Sequence, residues 1–118
     1  MLPLSIGNHI DHLLVRNSVE ALRDGRNINL GYYEDFPYVY VNKESTWVSK
    51  LTSGLTPQVI EVSPKESAKR LAAINCYRSQ LDMLWEDNSD KISQMNSVYE
   101  RYGKKYGGKV VRLWERIV

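Results

Sequence analysis

Gly7-Asn8-His9-Ile10-Asp11-His12-Leu13-Leu14-Val15-Arg16-Asn17-Ser18-Val19-Glu20-Ala21-Leu22 is the stretch on which the reading of this chain turns. Asn8 is a good helix N-cap. Ile10, Leu13, Leu14, Val19 and Leu22 recur at near-helical spacing, which predicts a helix from His9 to about Arg23, terminated by Gly25. Both histidines of the chain fall at its start. Positions three apart share a helix face, so His9 and His12 can point at one spot near the helix N-terminus. Histidine is the commonest metal-binding side chain, Asp11 could orient one ring, and a helix N-terminus favours developing negative charge. The same pair is also what surface or packing histidines look like. A catalytic zinc usually takes three protein ligands and an open position, and two histidines do not meet that count. Glu34 or Asp35 could add a ligand, which spacing alone does not show.

Working outward, Met1–Ile6 is short and apolar and reads as the tail of a strand or a buried loop. Ile28–Tyr33 reads as a strand, and Glu34–Tyr38 as an irregular acidic and aromatic loop. A short helix is expected from about Lys43 to Leu51, turn material from Thr52 to Pro57, and a short strand over Gln58–Val62. Ser63-Pro64-Lys65-Glu66 is the clearest local signal. Ser63 caps, Pro64 suits the first helical position and Glu66 closes a capping box. That helix should run through Leu71, Ile74, Tyr77, Leu81 and Leu84, with an interruption at Asp87–Asp90. A last helix carries Ile92, Met95, Tyr99, Tyr102 and Tyr106 as a core stripe and ends at Gly107-Gly108. Lys109–Val118 closes the chain as a strand or a short helix.

The order helix, strand, helix, strand, helix, helix predicts an α/β sheet with covering helices. Two or three strands make a thin sheet. If parallel, it would normally be buried on both faces and continued by neighbouring strands, which this chain does not supply. Residues 1–118 therefore read as a single partial domain.

Composition narrows the function. The chain has 118 residues, 42% hydrophobic and 25% charged, ordinary values for one small globular domain. Sixteen basic and 14 acidic residues give a net charge of +2, which makes no case for nucleic acid. The basic stretch Arg101–Lys109 is broken by Tyr and Gly and reads as a solvated helix end. The single cysteine, Cys76, cannot form an internal disulfide. With neither histidine nearby in sequence, it reads as a small buried hydrophobe. No apolar run approaches membrane-spanning length, and the opening residues lack a secretion signal. A cytoplasmic protein is expected.

The string GNHIDHLLVRNSVEAL resembles the second conserved block of the LmbE/PIG-L deacetylases, which remove the acetyl group from N-acetylglucosamine-containing substrates. YYEDFPYVY is similar to a recurrent segment of bacterial members, KRLAAINCYRSQL to the helix that follows, and RLWERI to their C-terminal end. The matches fall in the family's order across nearly the whole chain. The resemblance implies the C-terminal half of a Rossmann-like sheet with covering helices. It implies zinc as cofactor, His12 as a metal ligand, and His9 as the residue that stabilises the oxyanion, with Asp11 orienting it. The family's first block, an Ala-His-Pro-Asp-Asp-Glu-like loop that supplies further metal ligands and the general base, has no counterpart here. The resemblance thus implies a zinc-dependent N-acetyl sugar hydrolase that is truncated and inactive alone.

Tyr32, Tyr33, Tyr38 and Tyr40 around the acidic pair read mainly as packing. Glu34 and Asp35, in a loop after a strand, are candidates for contacts to substrate or for partners standing behind a metal ligand. Two other readings compete with the enzyme fragment: a degenerate, non-catalytic interaction module of the same ancestry, and an unrelated small α/β domain with a chance His-x-Asp-His. If the sheet continues in another polypeptide, a strand edge and part of the apolar face of the 9–23 helix lack their cover. An N-terminal half chain or a homodimer is then the expected partner.

Overall fold

A computed structural model describes residues 1–42, 45–85 and 88–117, the side chains of 88 and 89 excepted. Among these residues four strands, β1 (Leu2–Pro3), β2 (Leu30–Tyr33), β3 (Thr56–Glu61) and β4 (Val110–Arg116), form one sheet in the order β1-β2-β4-β3. The sheet is mixed. β1 runs parallel to β2, with Leu2 opposite Tyr32, whereas β2 and β4 are antiparallel, with Tyr32 opposite Trp114 and Tyr33 opposite Leu113. Among the described residues six helices accompany it: α1 (Ile10–Arg23), α2 (Tyr38–Asn42), α3 (Thr46–Leu51), α4 (Pro64–Asn75), α5 (Arg78–Leu84) and α6 (Asn88–Tyr106). The α/β class expected from the sequence is what is observed. The chain divides into two compact units, residues 1–59 with 112–118, and residues 60–111.

In the first unit the core is built by Leu2, Leu4, Ile6, Leu30, Tyr32, Val39, Val48 and Trp114, each at most 9% exposed. The helix expected at 9–23 forms, but two details differ. Asn8 is not the cap: it takes a left-handed backbone (φ 55) in the turn closed by Asn8 N–H to Ser5 C=O, a conformation Asn tolerates. His9 caps instead, its Nδ1 accepting from the Asp11 N–H.

The inward face is not the apolar one either. Ile10, Leu14 and Leu22 are 73%, 66% and 62% exposed, while Arg16 is buried. Arg16 donates to the Leu4 carbonyl at 2.6 Å and to Glu20 at 3.2 Å, and its guanidinium lies 5.2 Å from the centre of the Tyr32 ring. Glu20 in turn accepts the Tyr32 hydroxyl proton at 2.7 Å. A polar stripe with satisfied partners thus packs inward, and the aliphatic stripe is left outside.

Tyr38 opens a helix where the expected loop would still run. Asp35 and Pro37 carbonyls accept from Val39 and Tyr40 N–H, and the Asn42 amide caps the Tyr38 carbonyl. α3 starts at Thr46, with Ser45 as its cap; the start expected at Lys43 lies outside the described residues.

In the second unit the capping box of α4 is as the sequence predicts. Ser63 Oγ accepts from Glu66 N–H, and Glu66 accepts from Ser63 N–H. The bonds from Ser63 hold the Glu66 carboxyl below its ordinary pKa. The single long helix expected to Leu84 is instead two, broken at Cys76–Tyr77. At that break the amide oxygen of Asn75 is taken by the ammonium of Lys91, which is 2% exposed and also lies over Trp85. Cys76 is exposed rather than buried. The α6 stripe is core at Met95, Tyr99 and Tyr102, whereas Ile92 is 40% exposed. A Cβ on Gly103 would stand 2.5 Å from the Gly108 carbonyl, so glycine there lets the 107–108 turn fold back on the helix.

Candidate active site

Three short segments of the first unit converge: the turn before α1, the first turn of α1, and the chain leaving β2. Asp35 joins them. Its side chain is fully buried. One carboxylate oxygen accepts the Ile6 N–H at 3.0 Å, and the other lies 2.6 Å from Nδ1 of His12. A buried carboxylate is stable only when it is paired and hydrogen-bonded; the Ile6 N–H supplies the hydrogen bond, and the His12 ring supplies a close polar contact without an aligned hydrogen bond. A carboxylate this close to Nδ1 favours the proton on that nitrogen, since two lone pairs would otherwise face each other, and so favours Nε2 as the bare one. The His12 ring is one-third exposed, so it is held from behind and open in front.

His9 is arranged in the opposite sense. Because its Nδ1 accepts from a backbone N–H at 3.3 Å, that nitrogen carries no proton, and a neutral ring then bears its hydrogen on Nε2. Asp11 meets His9 through its backbone. Its carboxylate is 3.9 Å from Nδ1 and mostly exposed. The two histidine rings lie 5.2 Å apart, tilted by 47°. One presents an acceptor nitrogen and its neighbour a donor, which is a pairing the His-x-x-His spacing alone does not reveal.

Tyr38 closes the third side, edge-on to His12 at 6.4 Å between ring centres. Its ring lies flat against Gly7, where an added Cβ would be 2.3–2.7 Å from three ring carbons. Glycine is therefore a steric requirement of the site. The sequence reads Tyr38 mainly as a packing tyrosine and gives Gly7 no role of its own. The aromatic following Phe36-Pro37 was the available signal, but its neighbour across 31 positions was not.

Glu34 is placed apart from its neighbour. Its Oε1 accepts from Arg112 Nε at 2.8 Å and from Trp114 Nε1 at 2.9 Å, and its side chain is 5% exposed. It is engaged within the fold rather than turned toward a ligand. Of the two roles expected for Asp35, the geometry favours the partner behind His12. Burial, together with the Asp35 charge, raises the Tyr33 pKa.

The donor set fits one position of a metal shell and not a whole one. Among the described residues no group of three or more His, Cys, Asp or Glu side chains is placed to hold a metal ion. Among the described residues His12 Nε2 is a donor atom outside any such group. No described helix is long and apolar enough to cross a membrane.

The α/β fold is one seen in solved structures of LmbE/PIG-L-like deacetylases, matched here in part. No protein-family profile and no curated protein sequence matches the chain. Solved structures do. The zinc-inhibited form of teicoplanin deacetylase Orf2 superposes with a TM-score of 0.75 at 21% identity, covering 95% of this chain and 42% of that one. The A40926 pseudoaglycone deacetylase Dbv21 gives 0.74 at 23% identity, over 96% and 46%. A deacetylase of teicoplanin biosynthesis, solved as its bog complex, gives 0.74 at 22% identity, over 94% and 42%. At these identities the likeness establishes the fold. The chain spans less than half the length of the structures it matches, consistent with a C-terminal portion.

Proposed function

We propose that these 118 residues are the C-terminal portion of a zinc-dependent deacetylase acting on N-acetylated sugars of the N-acetylglucosamine type. In this reading they contribute part of the site and do not turn over substrate alone. One observation carries the reading: on a fold shared with sugar-antibiotic deacetylases, His12 is held through Nδ1 by buried Asp35 with its Nε2 free. His12 would bind the metal. His9, with its hydrogen on Nε2, would donate to the amide oxygen as charge develops there, an effect worth most where water is excluded. Tyr38 would form a wall against the substrate.

The exposed aliphatic face of α1 supports the reading of a partial fold. Ile10, Leu14, Val15 and Leu22 lie outward on the helix that carries both histidines, and soluble monomers rarely leave such a patch open. The polypeptide that completes the metal shell would cover it. The exposed, unpaired Cys76 suits a reducing compartment such as the cytoplasm.

The test is acetate release from N-acetylglucosamine with added zinc. The isolated chain is expected to show no more release than its His12→Ala variant. Robust zinc-dependent release that His12→Ala abolishes would place a complete site within the 118 residues and overturn the partial-site reading.

A further inference from the structure

We infer that Arg112 and Trp114 of β4, acting through Glu34, are positioning residues for the Asp35–His12 pair. The inference rests on the reading of His12 as a ligand oriented by Asp35.

The chain leaving β2 must do two opposed things in consecutive residues. Tyr33 is the last strand residue, paired with Leu113, and Asp35 must turn back beneath α1 to reach both Ile6 N–H and His12. Glu34 is the pivot between them. A carboxylate is normally solvated in such a loop, yet here both partners and the acid are buried: Arg112 is 2% and Glu34 5% exposed at the side chain. A desolvated pair of this kind contributes little net stability over an apolar replacement and is better explained by geometric definition.

The geometry is defined from two directions. Arg112 Nε and Trp114 Nε1 both donate to Oε1, at 2.8 and 2.9 Å, and the guanidinium stacks 4.7 Å from the Trp114 ring centre, so each donor fixes the other. Arg112 and Trp114 stand two apart on β4 and so share a sheet face. That face reaches past the end of β2 and grips the first residue beyond it. With Glu34 fixed, the backbone of Asp35 has one course, and its carboxylate meets Nδ1 of His12 rather than solvent. None of the three clamp side chains needs to touch substrate for this to matter, because the property they set is which imidazole nitrogen of His12 is bare.

That property is read directly by long-range nitrogen–proton NMR of the 118-residue chain, at a pH where the ring is neutral. In the wild type His12 should be in the Nδ1–H form. Glu34→Gln keeps an oxygen for both donors and should retain it. Glu34→Ala should shift His12 toward the Nε2–H form that free imidazole favours, and Trp114→Phe, which removes one donor and keeps a ring, should shift it part of the way. Arg112→Lys keeps the charge but not the planar donor and should resemble Trp114→Phe. If Glu34→Ala does not fold, the Trp114→Phe and Arg112→Lys proteins decide the matter. A folded Glu34→Ala, or failing that both partial variants, with His12 still wholly Nδ1–H overturns the inference. Asp35→Ala separates this from the proposed function. If Asp35→Ala shifts the tautomer and the clamp variants do not, only the clamp fails. If a folded Asp35→Ala also leaves it unchanged, Asp35 does not orient His12 and both fail.

Discussion

Arg16→Met tests the claim that α1 packs through a polar stripe. Methionine keeps an unbranched apolar stem in the same space and removes only the guanidinium. Besides the guanidinium's contact with the Tyr32 ring, three polar interactions are lost. The first is a 2.6 Å bond from a charged donor to the carbonyl of Leu4, a residue with no exposed surface. Such bonds contribute about 1.5–3 kcal/mol, and the carbonyl left behind has no water to turn to. The second is the ion pair with Glu20, whose side chain is 26% exposed; partial hydration of the freed carboxylate limits this loss to about 1 kcal/mol. The third, a 3.5 Å contact with the Leu51 carbonyl, lies at the limit of a hydrogen bond and adds little. The sum is about 2.5–4 kcal/mol, a large fraction of the stability of a small domain. Urea denaturation followed by tryptophan fluorescence measures it. The midpoint should fall with little change in slope, and Glu20→Gln should cost about 1 kcal/mol. A loss below about 1 kcal/mol for Arg16→Met would mean that the stripe is not what seats the helix.

Gly7→Ala should destabilise by about 1–3 kcal/mol and shift the His12 ring resonances, because the new Cβ collides with Tyr38; a thermal melt and an NMR spectrum check both parts. Tyr32 is buried and bonded to Glu20, which pushes its pKa up from 10.0 to about 12. The folded state therefore holds this proton more tightly than the unfolded one. The stabilisation is complete below pH 10 and should decline by about 2 kcal/mol as pH rises from 10 toward 12. Urea midpoints across that range should show a slope that Tyr32→Phe removes. Finally, the isolated chain should self-associate in a sedimentation series, and a Leu14→Glu, Leu22→Glu double variant should disperse it with little loss of stability, since both side chains are exposed. A wild type that stays monomeric at high concentration would count against the uncovered-face reading.

The local elements were legible in the sequence where the determinants were local. The Ser63–Glu66 box, the glycines after α6 and the histidine helix all follow from residues within a turn of each other. What escaped was decided by distant partners. Periodicity puts Ile10, Leu14 and Leu22 on the apolar face of α1 and says nothing of which face turns inward. The inward positions are His12, Arg16 and Glu20, because Asp35, the Leu4 carbonyl and Tyr32 wait for them. Nothing in an apolar pattern encodes that complementarity. The break at Cys76–Tyr77 coincides with a buried lysine 16 positions away from its acceptor Asn75. In the site, the histidine pair and the candidate acids were visible as residue types. The division of labour between Glu34 and Asp35 was not, because it depends on which strand runs beside β2.

The central claim is that His12 is a preoriented but solitary metal ligand, bare at Nε2 and held at Nδ1. Titrating the isolated chain with zinc while following both imidazole nitrogens by NMR tests it most directly. The account predicts weak binding at His12 Nε2, with the Nδ1 proton retained and the effect lost in His12→Ala. Tight stoichiometric binding, coordination through Nδ1, or binding that survives His12→Ala would contradict it.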